Sequence, residues 1–561
     1  MCALMACLLY LPGLGRPALW EPDEGRYAEI SREMVQSGDY VTPRDNWVRY
    51  FEKPPLMYWA GALAIKSLGA NEFAVRLPAA LFSVGQVAIT CALAEAMFGA
   101  TVGLAGAAAL ALSPLFFGFA RFLTLDPALA FFVTGALACF YMASCAAALN
   151  SGAGRRWLYL AAGLTALGTL TKGPVALAIS GGVALIFMLV EGRGRELLRM
   201  PWFGCALIYG AIGAPWFVLA ARRNPDFLAF FFIHEHLQRY LSGTEHGWGP
   251  YFFITVTLAG MWPWICFVPQ PIRQLLRPRT DEAPINASAL RFLLIWFGLI
   301  FVFFSIPRSK LGSYILPGLP PLAILAGYGL SILRDNKTPV IRRTLGAFAL
   351  INLGVAAVVI PVLIVLTRRH GMSALGIDGA AAMAAVAAGA VAAFVIGREG
   401  RRSTQAIATI AIATVVASAA MVKAREDAAP LGSYRELARA ILPDLGQGCV
   451  LASYHHLVHS LPFYTGAREV LVAHRGELAP AGNTPDARPS FIDTDRELVE
   501  LWASTRCVVV IVNRKDLPGL AAGLNPSPTI LVGEGKKIAV SNRPSAAHEH
   551  QGGSGSGPAT P

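Results

Sequence analysis

Charge is what this sequence has least of. Only 15% of its 561 residues are Asp, Glu, Lys or Arg, against 55% hydrophobic, whereas soluble domains carry about 25% charged residues. That deficit points to lipid as the main solvent and argues against an ordinary soluble enzyme. The apolar stretches also lack the apolar–polar alternation of a membrane β-barrel, which leaves helices as the way to satisfy backbone groups in lipid. No internal repeat is visible. Residues 1–15 carry no leading Lys or Arg and are followed by no convincing small-residue cleavage site. They therefore read as a first helix entered from the cytoplasm rather than a signal peptide.

What is abundant is long apolar blocks, such as 101–120, 202–220, 292–306, 345–366 and 379–396. At about 1.5 Å per residue these cross, or nearly cross, a hydrocarbon core of ~30 Å. Numbering the blocks in order gives about thirteen spans. The formal charge is +12, and the basic residues cluster in short loops: Arg155/Arg156, Arg193/Arg195/Arg199, Arg273/Arg277/Arg279, Arg334/Lys337/Arg342/Arg343 and Arg398/Arg401/Arg402. With thirteen spans all five clusters fall on one face, which the positive-inside rule makes cytoplasmic. Arg368–Arg369 falls on the other face. The basic balance is thus explained by topology and implies no nucleic acid.

The expected architecture is a polytopic α-helical membrane domain over residues 1–423, with external loops at 16–58 and 222–250. A soluble α/β domain follows over 424–545, with β-branched runs at 450–452, 508–512 and 529–532 between helical stretches. A Gly/Ser/Pro-rich tail at 546–561 is expected to be disordered. Most of the nine cysteines lie in spans and act as small apolar residues. Cys449 and Cys507 each immediately precede a predicted strand, so a disulfide there suits an oxidising periplasm, although sequence alone does not supply the geometry.

The chemistry-bearing residues concentrate in the external loops. Glu21-Pro22-Asp23-Glu24-Gly25-Arg26-Tyr27 opens the first loop. It reads structurally as a helix start, with Asp23 as N-cap and Tyr27, Ile30 and Met34 on one face. A short amphipathic helix at the interface would also hold Asp23 where it meets a lipid headgroup. Trp47-Val48-Arg49-Tyr50-Phe51-Glu52-Lys53-Pro54-Pro55 follows, with the prolines enforcing an extended segment. Taken singly, its aromatics suit a membrane-interface belt and Glu52–Lys53 a surface ion pair. Asp126-Pro127 reads as a cap with Pro at N1. Lys172 interrupts two apolar spans, where a cation is costly unless it faces water or a partner. Arg308, Lys310 and Tyr314 lie between spans, on the external side. Lys and Arg in such a setting suit phosphate. His234 and His236 flank Glu235, with His246 beyond, and such a group could take a divalent metal, although the spacing matches no strong zinc signature.

At these residues the sequence resembles the bacterial lipid A aminoarabinose transferases, within the wider protein-mannosyltransferase-like group of GT-C fold. The resemblance is carried by Asp23-Glu24-Gly25-Arg26-Tyr27-Ala28-Glu29-Ile30, Phe51-Glu52-Lys53-Pro54-Pro55-Leu56, Leu170-Thr171-Lys172-Gly173-Pro174, Glu235-His236-Leu237-Gln238-Arg239-Tyr240 and Tyr314-Ile315-Leu316-Pro317. It implies transfer of 4-amino-4-deoxy-L-arabinose from undecaprenyl phosphate to a lipid A phosphate, on the periplasmic side of the inner membrane and without a nucleotide sugar. It makes Asp23 the essential first-loop aspartate and Asp126 the second acidic position. Arg26, Tyr27, Tyr50, Lys53 and Tyr314 become carrier-phosphate and cavity residues, and Glu52 with His234 or His236 a metal site. A related transferase acting on a protein or another glycan shares these motifs. A lipid-linked sugar transporter would instead place its ionisable residues near the midplane on broken helices in related halves.

Overall fold

The computed structural model describes residues 1–543 except 147, 239–246, 277–285, 336–337, 370–371, 400–401 and 482–483; the side chains of 236–238, 335, 338, 481 and 534 are also outside the description. The expected disordered tail at 546–561 therefore lies outside the described residues, as do Arg239, Tyr240, His246 and the side chain of His236. The chain divides into two compact units. One comprises Met1–Leu14, Glu52–Met57 and Arg76–Asp427; the other comprises Gly15–Phe51, Tyr58–Val75 and Ala428–Pro561.

The first unit is a helical bundle. Among the described residues, eight helices are long and apolar enough to cross a membrane. Two bent pairs, Ala100–Ala111 with Pro114–Ala120 and Phe252–Gly260 with Trp264–Leu276, bring the number to ten. The remaining three of the thirteen expected spans correspond to helices that miss those criteria: Cys2–Tyr10, Gly152–Lys172 and Val175–Val190. The first has 9 residues and the last 16, about 14 and 24 Å of helix, so length and hydropathy do not establish the count of thirteen.

Burial sorts the helices by place. Asp126–Ser144 is central, with 83% of its apolar window buried, whereas Pro339–Arg369 is 17% buried and leaves Leu350 and Val358 exposed. A surface so apolar is stable against lipid chains, not water. The core is dense in aromatics: Trp264, Trp296, Phe267 and Phe292 are all essentially inaccessible.

The second unit is built around a six-stranded sheet. In chain order its strands are β3 (Val450–Tyr454), β4 (Glu469–Val472), β5 (Phe491–Ile492), β6 (Val508–Asn513), β7 (Thr529–Glu534) and β8 (Lys537–Ser541), arranged β5-β4-β3-β6-β8-β7. The first four are parallel, and β8 and β7 close one edge antiparallel. Strand β6 reads as an unbroken apolar run because both its faces are covered. Val508, Val510 and Val512 pack with Leu498 and Trp502, while Val509 and Ile511 pack with Leu437 and Ile441. Val450 pairs with Val508 across β3 and β6, so Cys449 and Cys507 stand opposite each other with Cα atoms 4.4 Å apart, and they form a disulfide.

Most of the first loop, residues 16–51, folds into this same unit. Its helix, Asp23–Ser37, stops at Gly38, whose φ of 72° supplies the left-handed C-cap. Tyr27, Ile30 and Met34 are buried as expected, but so are Glu24, Arg26, Glu29 and Glu33. The helix is therefore enclosed on both faces, rather than presenting a single apolar face to lipid. A two-stranded hairpin follows: β1 (Arg44–Asp45) and β2 (Val48–Arg49), with Asn46 and Trp47 both at positive φ. That is a two-residue turn of the kind whose twist suits a hairpin.

Candidate active site

Asp23 is the first residue of its helix and not the cap, a position filled by Pro22. No side chain caps the helix; Glu24 instead reaches back, its carboxylate accepting the Trp20 N–H at 3.0 Å. Asp23 is thereby left to pair with Arg26 one turn on, Oδ1 to Nη1 at 3.3 Å, with 41% of its side chain exposed. The Arg26 guanidinium is buried, and its Nη2 meets Glu477 Oε2 at 2.7 Å. The rings of Tyr27 and Tyr50 flank it, with centroids 5.9 and 5.8 Å away. Its Nε is buried and has no hydrogen-bond partner among the described residues. Four predicted residues, Asp23, Arg26, Tyr27 and Tyr50, thus form one cluster in the second unit. A short helix at Gly476–Ala481 adds Glu477, which nothing in its local sequence distinguishes.

Below this cluster the second unit buries several ionisable groups. Burial pushes the Glu21 carboxyl above its usual range, against the lowering effect of His459 and the Ser460 hydrogen bonds. Burial also raises Glu33, with Glu29 adding to it. Glu469 is pushed up to about 8 by burial, and Lys537 down to about 8 by the same cause. Burial opposes protonation of His459, but the Asp45 carboxylate beside it prevails and raises its pKa.

In the membrane unit, Asp126 opens its helix with Leu125 as the N-cap residue, and makes an ion pair with Lys172. Lys172 also sits over the Tyr314 ring, 4.4 Å from its centroid. Asp126, Lys172 and Tyr314, far apart in sequence, are one cluster. Lys53 Nζ lies 3.9 Å from the Glu52 carboxylate and 3.3 Å from that of Glu235, so Glu235 meets a lysine. Lys310 is buried and donates to the backbone carbonyls of Trp248 and Pro307, so its ammonium ties two loop segments together. Arg308 is exposed. His234 is exposed and stacked on Phe230, centroids 5.4 Å apart, in the π-helix Ala229–Gln238.

Among the described residues, no three His, Cys, Asp or Glu side chains converge on a point that could hold a metal ion. Glu52 and Glu235 both face the Lys53 ammonium, whose charge opposes a cation at that place. Among the described residues, which leave out the His236 side chain, Glu52, His234 and Glu235 thus compose no metal site.

Residues 1–231 match the family described as dolichyl-phosphate-mannose-protein mannosyltransferase. The undecaprenyl phosphate-α-4-amino-4-deoxy-L-arabinose arabinosyl transferase of Erwinia tasmaniensis is 36% identical over 371 residues, 64% of each chain. The chain thus spans just under two thirds of that relative's length. The protein of the same name from Aeromonas salmonicida is 31% identical over 547 residues, covering 94% of this chain and 96% of that one. This chain belongs to that arabinosyl transferase family. The crystal structure of ArnT from Cupriavidus metallidurans bound to undecaprenyl phosphate superposes with a TM-score of 0.86 at 29% identity, over 97% of this chain and 98% of that one. An archaeal oligosaccharyltransferase from Archaeoglobus fulgidus, at 12% identity and a TM-score of 0.50 over 94% of this chain and 70% of that one, shares the fold alone. This chain is thus a multi-pass inner-membrane protein of GT-C fold, with a sheet-containing C-terminal region.

Proposed function

We propose that this protein transfers 4-amino-4-deoxy-L-arabinose from undecaprenyl phosphate to a phosphate of lipid A, with its reactive groups on the periplasmic side. The observation that carries this reading is the Arg26 cluster. A buried guanidinium with one unpartnered donor, flanked by two tyrosines and one turn from a half-exposed aspartate, suits a lipid phosphate bearing a sugar. Masking lipid A charge in this way would confer resistance to polymyxin and cationic peptides.

In this mechanism the acceptor phosphate is already ionised and needs little help from a general base. One of its oxygens forms a bond to the anomeric carbon on the face opposite the carrier. The bond from that carbon to the carrier phosphate oxygen breaks, and its electron pair leaves with undecaprenyl phosphate. The anomeric centre inverts. Asp23 orients the acceptor and stabilises the positive charge developing on the sugar. The cations offered to the departing phosphate are Arg26 in the second unit and Lys53, Lys172, Arg308 and Lys310 in the membrane unit. Tyr27 and Tyr50 flank Arg26, and Tyr314 lies beneath the Lys172 ammonium.

The experiment is mass spectrometry of lipid A from cells that make the donor and express this chain, beside an Asp23→Asn control. An aminopentose mass added to the phosphates, and absent in the control, is expected. Unchanged lipid A with the protein folded would discard the assignment.

A further inference from the structure

The first-loop segment carrying Asp23 is clasped by residues of the C-terminal sheet region at three of its residues, Glu21, Asp45 and Asn46. Glu21 Oε1 accepts the Ser460 N–H at 2.7 Å, and Glu21 Oε2 accepts the His459 N–H at 3.2 Å. His459 Nδ1 lies 2.7 Å from Asp45 Oδ2, with both side chains buried. Asn46 accepts the Glu469 N–H at 2.9 Å and donates to the Glu469 carbonyl at 2.7 Å, as a strand residue would. A close backbone approach lies among them: a Cβ on Gly25 would stand 2.7 Å from Ser460 N and 2.9 Å from Glu21 Oε1. Glycine is needed there because the helix lies flush against residues 459–460.

These contacts act on the ends of the reactive segment. Glu21 is two residues before Asp23, and Asp45 is five before Tyr50. Resting on the transferase reading above, we propose that His459 is a positioning residue. It holds the turn carrying Glu21 to Arg26 and the β1–β2 hairpin in fixed relation, so that Asp23, Arg26 and Tyr50 meet the donor together. The C-terminal sheet region is then part of the transfer machinery, though His459 itself touches no substrate. The charged groups facing it are Asp45 from the hairpin, Glu21 and Arg26 from the first-loop segment, and Glu469 from β4. The imidazole pairs with Asp45, and that carboxylate raises its pKa against the opposing effect of burial. The contact therefore weakens as pH rises through that raised pKa.

The test uses the full-length chain in lipid nanodiscs, with transfer kinetics and hydrogen exchange of peptides 20–27 and 44–50. His459→Ala is expected to lower kcat about 10²-fold, the scale of a 1 Å misplacement, and to speed exchange in both peptides. His459→Asn can still donate to Asp45 but does not titrate; it should restore part of the rate and lose the wild-type fall in activity at alkaline pH. Gly25→Ala, which leaves His459 in place, should lower kcat in the same way. Unchanged exchange in His459→Ala overturns the proposal, as does faster exchange in both peptides with wild-type kcat and pH profile. A uniform rise across the membrane helices assigns a general folding role and overturns it too. If the wild-type chain itself transfers no aminopentose, the transferase reading fails, and the exchange measurements alone decide whether the clasp holds.

Discussion

Lys172 is the last residue of its helix and Asp126 the first of another, and the two are ion-paired beside the Tyr314 ring. Each charge therefore also suits the dipole of the helix end that carries it. Removing either partner leaves a buried charge uncompensated. Lys172→Met is expected to cost about 3–5 kcal/mol of stability, read as a lowered apparent Tm in detergent, together with loss of transfer. Replacing both residues by apolar ones of similar size should recover much of the Tm and none of the activity. Recovery of activity as well would show that the pair serves packing only.

Arg26 uses both terminal nitrogens on different carboxylates, those of Asp23 and Glu477. A lysine keeps the charge but loses the planar fork. Arg26→Lys should therefore raise the donor KM by about ten- to a hundredfold, the equivalent of a charge-assisted hydrogen bond worth about 1.5–3 kcal/mol. Membrane insertion and expression should be unchanged. Wild-type kinetics in this variant would remove Arg26 from phosphate recognition.

Glu469 is buried, beside Ser453, with its pKa pushed up to about 8 by burial. In the unfolded chain it titrates near 4.3. Its folded pKa is the higher of the two, so its contribution to stability is complete below about pH 4 and is lost as pH rises towards about 8. Glu469→Gln removes the ionisation and should flatten the fall of apparent Tm across that window. An unaltered Tm–pH curve would mean that the carboxylate finds compensation for its charge when it ionises.

The Cys449–Cys507 disulfide closes a separation of 58 residues. Closing a loop of that size corresponds to roughly 4 kcal/mol in the chain-entropy account. The Cys449→Ser/Cys507→Ser variant should lower the apparent Tm of the sheet-containing unit, and reductant should produce the same shift in the wild type. Equal melting of both forms would show that the β3–β6 pairing holds the edge without it.

Much of the membrane unit is legible in the sequence because lipid imposes one simple demand, a long apolar helix, and each expected span corresponds to a helix or a bent helix pair. Residues 1–15, 158–170 and 175–189 are harder to read because short or mixed helices satisfy that demand only in company. In the second unit, Val508–Val512 announces a strand buried on both faces. By contrast, β1 and β2 have two residues each, too few for any periodicity. Asp23, Arg26, Tyr27 and Tyr50 stand out because charge and aromatic rings crowd one loop. Glu477 and His459 do not, since the partners of Arg26 and Asp45 lie more than four hundred residues along the chain. Local pattern carries no information about pairing at that distance.

The second unit is assembled from both ends of the chain. Its first segments finish at Val75 and its last begins at Ala428, so roughly 350 residues must be synthesised and inserted in between. At about 5–20 residues per second the ribosome needs some ~20–70 s for that stretch. Throughout that interval the Glu21, Asp45 and Asn46 side chains are without the partners that later enclose them. The protein's maturation is thus timed by its C-terminus: a chain stalled short of residue 460 has inserted its membrane helices yet still holds its first external loop unassembled.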